Sequence, residues 1–136
     1  MKKVLILCTG NSCRSIMAEA VVNHFFENNV KAYSSGVKAN GMVSPDTLKA
    51  VKEYGLKGME YLKSKMLHEV PEKEFDLVIT VSDEAKLSCP IFPQETKTVH
   101  IGVEDPTGKK FFKYLRTIHD LKENILPIIK KELLSN

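Results

Sequence analysis

An open parallel α/β sheet of four strands, with helices on both faces, is the fold class this sequence predicts. Three observations predict it. Val4-Leu5-Ile6-Leu7 and Leu77-Val78-Ile79 are continuous apolar runs rather than alternating ones, the pattern of strands covered on both sides. The segments between strand-like runs are too long for hairpin turns, and several carry helical spacing. Strands and helices alternate along the chain instead of falling into blocks, which favours parallel pairing with right-handed crossovers.

Each element has its own signals. The first strand is read over residues 3–7. A helix follows over 15–28, where Met17, Ala18, Val21, Val22, Phe25 and Phe26 recur at helical spacing and Asn28-Asn29 ends it. A short second strand over 31–35 runs into Ser34-Ser35-Gly36. Ser44 caps the next helix, Pro45 takes its first position and Gly55 closes it. Residues 58–70 read as loop, then a short helix around 65–69. The third strand is placed over 75–81, and Ser82-Asp83-Glu84 reads as a helix cap. Cys89-Pro90 and Phe92-Pro93 punctuate a loop, and β-branched alternation places a fourth strand over 96–101. Glu104-Asp105-Pro106-Thr107-Gly108 is a turn. A long helix extends to Leu134 with Phe111, Leu115, Ile118, Leu121 or Lys122, Ile125 and Ile129 on one stripe. Pro127 should kink it or start a new segment.

Composition narrows the class of function. The 136 residues are 43% hydrophobic and 27% charged, enough for one globular domain spanning 1–136 with a sizeable core. A net charge of +3, spread along the chain, does not argue for nucleic acid. No apolar run approaches a membrane span and no signal peptide is expected. The cysteines Cys8, Cys13 and Cys89 do not form a secreted disulfide framework. A reducing, cytoplasmic location is expected.

The chemistry is concentrated in Cys8-Thr9-Gly10-Asn11-Ser12-Cys13-Arg14-Ser15. It lies between a strand and a helix, where converging backbone N–H groups and the helix dipole favour an anion. Gly10 is expected to supply the unusual backbone angles. Arg14 is one of only two arginines, with Arg116, among twenty basic residues. Reaching back across the loop, its guanidinium fork would grip a tetrahedral oxyanion through paired hydrogen bonds. Thr9, Gly10, Asn11, Ser12 and Cys13 would complete the oxyanion cradle. These donors would hold Cys8 as a thiolate near neutral pH, with Ser15 as a hydrogen-bond donor to it. A thiolate beneath a bound oxyanion is placed to attack phosphorus or arsenic. Cys13 reads as a small packing residue.

Expelling an oxygen leaving group calls for a general acid. Asp105 fits: its turn lies on the same carboxyl edge of the sheet, and Pro106 stiffens it. The same edge should bring Cys89 toward Cys8. Glu19, Glu104 and Asp83 are weaker acids for this role. His24, His68, His100 and His119 have no mutual metal spacing, and His24 and His119 read as structural residues on helices.

These residues, together with Met17-Ala18-Glu19, Tyr33-Ser34-Ser35-Gly36, Asp76-Leu77-Val78-Ile79-Thr80, Cys89-Pro90 and Glu104-Asp105-Pro106, carry a family resemblance over nearly the whole chain. The sequence resembles the thioredoxin-coupled arsenate reductases, which share the low-molecular-weight protein tyrosine phosphatase fold. The resemblance implies that Cys8 attacks arsenate, that Arg14 and the loop amides hold it, and that Asp105 assists departure of the oxygen. It implies a thiol relay reduced by thioredoxin or another thiol reductant, with Cys89 matching the second relay cysteine. The first should follow Thr80-Val81, where this chain has Ser82. A hydroxyl cannot form the disulfide. Three alternatives stay open: a cysteine substituted by serine at 82; resolution of Cys8 by Cys89 or by an external thiol; or a phosphatase that needs no relay. Against a tyrosine phosphatase, Thr107-Gly108 stand where those enzymes usually carry tyrosines, and Phe111 and Phe112 come slightly late. A non-catalytic oxyanion or redox-sensing module, with Cys8 and Cys89 in a reversible disulfide, is the alternative from another class. Some reductases of this kind bind potassium through residues matching Asn11, Glu19 and Ser34. The remaining aspartate aligns with Lys65, whose ammonium could replace the ion, so no cofactor or required metal is expected.

Overall fold

A computed structural model describes residues 1–93 and 95–135. Its four-stranded sheet is all parallel, in the order β2-β1-β3-β4. The strands are β1 (Lys2–Cys8), β2 (Val30–Gly36), β3 (Leu77–Thr80) and β4 (Lys97–His100). The fold class is the one expected, and each strand differs from its expected bounds by a residue or two. The unbroken apolar run in β1 is explained by its place: it is an inner strand, with Val4 to Leu7 sealed from solvent.

Strand alternation divides the core in two. Val4, Ile6 and Cys8 point with Leu77 and Ile79 into a layer formed by α1 (Arg14–Phe25), α2 (Pro45–Tyr54) and α4 (Phe111–Ile129). Leu5 and Leu7 point the other way, with Val78, Val70, Phe75 and Ala85. Ala85 lies on α3 (Asp83–Leu87), so this second, thinner layer is closed by α3 and its neighbouring loops. A fully buried Val, Leu or Ile side chain contributes about 1.5–3 kcal/mol, so β1 anchors both layers.

Helix α1 is buried on more than the one face its apolar spacing marks. Every residue from Ser15 to Val22 is buried, because α1 packs on β2 and α4 at once. It also stops at Phe25, where the chain turns back through the Asn29 N–H to Phe26 carbonyl bond to start β2 at Val30. Helix α2 is capped as expected: Ser44 Oγ accepts from the Thr47 N–H, and Gly55 takes a left-handed φ of 87°. Residues 58–70 contain two short 3₁₀ turns, Met59–Tyr61 and Leu67–Glu69, rather than one helix. Between them Met66 bridges to Gly36.

The α4 stripe is corrected at its start. Tyr114, Thr117, Ile118, Leu121, Ile125 and Ile129 face the core, whereas Phe111 and Leu115 are only partly buried. Pro127 does not end the helix. It removes one N–H donor, and three residues later the chain continues in wider π-type turns over Lys130–Leu134. Among the described residues no helix is long and apolar enough to cross a membrane.

Edge strand β2 is sealed by side chains of α1. Asn23 bonds both polar groups of Ala32, donating to its carbonyl at 3.1 Å and accepting from its N–H at 2.8 Å. Gly36 N–H donates to the Lys65 carbonyl at 2.9 Å. Unpaired strand groups are thereby closed off.

Candidate active site

Strand β1 ends at Cys8 and α1 begins at Arg14, so residues 9–13 form a loop at the carboxyl edge of the sheet. The segment after β2 runs alongside it. Val37, Lys38, Asn40 and Ser44 donate N–H bonds of 2.8–3.1 Å to the carbonyls of Cys8, Thr9, Gly10 and Ser12, respectively. In a trans peptide the next N–H points opposite to the carbonyl. Those four bonds therefore turn the N–H groups of Thr9, Gly10, Asn11 and Cys13 toward the inner side of the loop. Asn11 shows the result, since its N–H reaches Cys8 Sγ at 3.2 Å.

The strained backbone position is Asn11, with φ 49°, and not Gly10 as the sequence suggested. Asparagine is among the few side chains that tolerate this region, and here its amide is fully used. Its Oδ1 accepts from the Lys65 N–H at 2.8 Å, which fixes the amide's orientation. Its Nδ2 donates to Ser15 Oγ at 2.7 Å and Ser34 Oγ at 3.0 Å. Gly36 is the glycine that the loop requires: a Cβ there would lie 2.7 Å from the Thr9 carbonyl oxygen and 2.9 Å from Asn11 N.

Cys8 is nearly fully buried, and Ser15 Oγ lies 2.7 Å from its sulfur. Ser15 already accepts from Asn11 Nδ2, so its own hydrogen is free to point at Cys8. Two donors, the Asn11 N–H and the Ser15 O–H, thus converge on the sulfur, an arrangement complementary to a thiolate. Cys13 differs sharply. Burial pushes its thiol up to about 12, and its sulfur sits 4.0 Å from Met17 Sδ. It packs in the core, as the sequence suggested.

Arg14 faces a hollow of about 320 Å³ bounded by Val81, Ser82, Asp83, Gly102 and Val103. Its Nη1 donates to the Val103 carbonyl at 3.4 Å, and Nη2 lies 3.6 Å from Asp105 Oδ2. The loop after β1 and the segment after β4 therefore meet at an Arg14–Asp105 ion pair. Asp105 Oδ1 accepts from both the N–H and the hydroxyl of Thr107.

Cys89 is not brought to Cys8. It is half-buried against the Leu5–Leu7 layer, whereas Cys8 belongs to the layer on the opposite sheet face. Burial raises its thiol above the usual value. The side chain that does touch the loop from this direction is Ser82. Its Oγ lies 3.0 Å from Thr9 Oγ1 and accepts from the Ala85 N–H, capping α3. Of the weaker acids, Glu104 pairs with Lys109 and Asp83 lies 3.4 Å from His100 Nε2.

Glu19 is the buried acid behind the loop. Ser34 Oγ donates to its Oε1 at 2.6 Å, and Lys65 Nζ lies 3.6 Å from the same oxygen. Burial pushes its carboxyl up, with Lys65 and Ser34 opposing the shift. A lysine ammonium therefore supplies the positive charge beside Asn11, Glu19 and Ser34. The group does not fit a further monovalent cation, which Lys65 would repel. Among the described residues no cluster of His, Cys, Asp and Glu could hold a metal ion. Ser34, Gly36 and Lys65 are supporting positions that spacing alone does not mark; the family resemblance pointed to Ser34 and Lys65, and the small-residue run Ser34-Ser35-Gly36 was the signal of close approach at Gly36.

Fold and geometry together define an α/β protein with a cysteine-and-arginine loop at the carboxyl end of a central parallel strand. The family model for low molecular weight phosphotyrosine protein phosphatase matches residues 3–133. The chain belongs to that family, and within it is an arsenate reductase-like enzyme. It is 36% identical over 124 residues to an arsenate reductase of Bacillus cereus (strain G9842), with 91% of each chain covered. A solved arsenate reductase from Archaeoglobus fulgidus is similar, at 32% identity and a TM-score of 0.75, covering 93% of this chain and 98% of that one. So is the low molecular weight protein tyrosine phosphatase from T. tengcongensis, at 29% identity and a TM-score of 0.77, covering 96% and 99%.

Proposed function

We propose that this enzyme reduces arsenate at Cys8. The observation that carries this is the convergence of Ser15 Oγ and the Asn11 N–H on a buried sulfur at the end of β1. The sulfur attacks arsenic held by the loop amides and Arg14. One oxygen leaves as water with a proton from Asp105. A second thiol then attacks Cys8 sulfur. As the S–S bond forms, the S–As electron pair passes to arsenic, which departs as arsenite. Cys89, or an external thiol, is the second thiol, and thioredoxin or another dithiol reduces the disulfide. The chain works as one domain in a reducing cytoplasm.

Ser82 favours a second activity, hydrolysis of phosphate monoesters. It fills the expected relay position as a buried cap bonded to Thr9. Ester hydrolysis needs only Cys8, Arg14, Asp105 and water.

The test is arsenite production with thioredoxin, thioredoxin reductase and NADPH, on this chain and on Ser82→Cys, beside aryl-phosphate hydrolysis. Turnover by the unaltered chain supports reduction without a thiol at 82. Turnover only after Ser82→Cys marks a reductase scaffold with its relay cut. No arsenite from either, with brisk phosphate release, replaces the reductase assignment by the phosphatase.

A further inference from the structure

Asp105 lies in an exposed turn, yet its carboxylate has one direction. Oδ1 accepts from Thr107 N at 3.0 Å and from Thr107 Oγ1 at 2.7 Å. Oδ2 is left facing Arg14 Nη2 at 3.6 Å. Between the two residues Pro106 is buried and anchors the turn, while Thr107 itself is exposed. The threonine therefore organises a carboxylate rather than a core.

We propose that Thr107 is the positioning residue that selects which oxygen of Asp105 handles the proton. This rests on Asp105 being the acid, as assigned above. In ester cleavage, Cys8 sulfur bonds to phosphorus and the bond to the ester oxygen breaks. The proton on Asp105 Oδ2 passes to that oxygen and Asp105 is left as a carboxylate. Both Thr107 donors then meet the charge through Oδ1, where charge-assisted hydrogen bonds are strong. In the second step water attacks phosphorus and returns its proton to Oδ2. The S–P bond breaks and the thiolate is restored. Without the Thr107 hydroxyl, Oδ1 loses one of its two donors and the carboxyl is freer to rotate away from the cradle.

The prediction concerns leaving groups. Dinitrophenolate leaves without a proton, whereas phenolate needs one. The measurement is kcat/KM for phenyl phosphate and dinitrophenyl phosphate with wild type, Thr107→Val, Thr107→Ser and Asp105→Asn. Thr107→Val should lose about tenfold on phenyl phosphate and no more than about twofold on dinitrophenyl phosphate, a part of the usual general-acid contribution. Thr107→Ser, which keeps the hydroxyl, should recover the phenyl phosphate rate to within about twofold of wild type. Asp105→Asn should show the same leaving-group dependence, more deeply. Equal losses on both esters, no loss, or failure of serine to rescue overturns the role of Thr107 while a sensitive Asp105→Asn leaves the acid in place. An insensitive Asp105→Asn removes the acid assignment and this inference with it, and a wild type that cleaves neither ester overturns the ester-cleavage reading and this inference together.

Discussion

Lys65 Nζ lies 3.6 Å from Glu19 Oε1, and both side chains are largely withdrawn from water. A residue of α1 and one of the segment between the two 3₁₀ turns thus place a fixed cation behind the loop, with Glu19 one hydrogen bond from Ser34 and two from Asn11. Activity should be the same in potassium and sodium buffers. Lys65→Met should cost about 3 kcal/mol in urea unfolding, because it leaves a buried carboxylate uncompensated. Rates for that variant should fall and recover in part with added potassium. A variant as stable and active as wild type would show the pair to be idle.

Glu19 also sets a pH dependence. Its carboxyl is raised above the ordinary value, chiefly by burial. Between the ordinary carboxylate value and the raised folded one, the folded state therefore binds more protons than the unfolded state. Stability attributable to Glu19 falls as pH rises through the ordinary carboxylate range toward the raised folded value. Glu19→Gln should flatten that limb of the stability curve, read as urea midpoints from pH 4 upward.

Glu72 acts in the opposite direction. N–H donors at Glu74 and Lys73, together with Lys3, hold its carboxyl down to about 2. Its contribution is complete above the unfolded carboxylate value and is lost as pH falls toward 2. Glu72→Gln should be less stable than wild type at neutral pH, and the two should converge near pH 2. Parallel curves across that window would rule the linkage out.

Gly36→Ala is the sharpest steric test. The added methyl meets backbone on two sides, at 2.7 and 2.9 Å, so the loop must shift. A loss of about 1–3 kcal/mol in stability is expected, with weakened phosphate binding by calorimetry. Arg14→Lys should leave stability near wild type but weaken phosphate by about tenfold or more, the worth of a charged hydrogen bond. Tight binding by Arg14→Lys would sink the cradle.

Cys89→Ser separates the thiols. It should leave aryl-phosphate hydrolysis unchanged and stop multiple turnover of arsenate if Cys89 resolves Cys8. That role requires the segment around Cys89 to leave the Leu5–Leu7 face, since the two sulfurs lie in different layers. Unchanged arsenite output would assign resolution to an external thiol.

Strands and their order of appearance were legible because β1 and β3 are apolar on both faces, a signal intrinsic to the residues. Ser44, Pro45 and Gly55 announced α2 through local capping chemistry, which needs no tertiary contact. The apolar spacing of α1 marked one face only, because burial all round depends on β2 and on α4, far along the chain. The loop's chemistry was visible in Cys8, Arg14 and Ser15. Its support was not: Asn11 in place of Gly10 as the left-handed residue, and Gly36 against Thr9, arise from approaches between segments distant in sequence. Cys89 packs against the Leu5–Leu7 layer and Cys8 in the other, a difference of sheet face that a shared sheet edge does not reveal.

The sealing of β2 has a consequence for self-association. An open edge strand invites a second copy to extend the sheet, and Asn23 occupies the groups at Ala32 that such a copy would use. Glu19, one turn earlier on α1, holds Ser34 and through it Asn11. A single helix face therefore guards the β2 edge against pairing with a second copy and braces the nucleophile loop. Substitutions that loosen it would be expected to cost activity and monodispersity together.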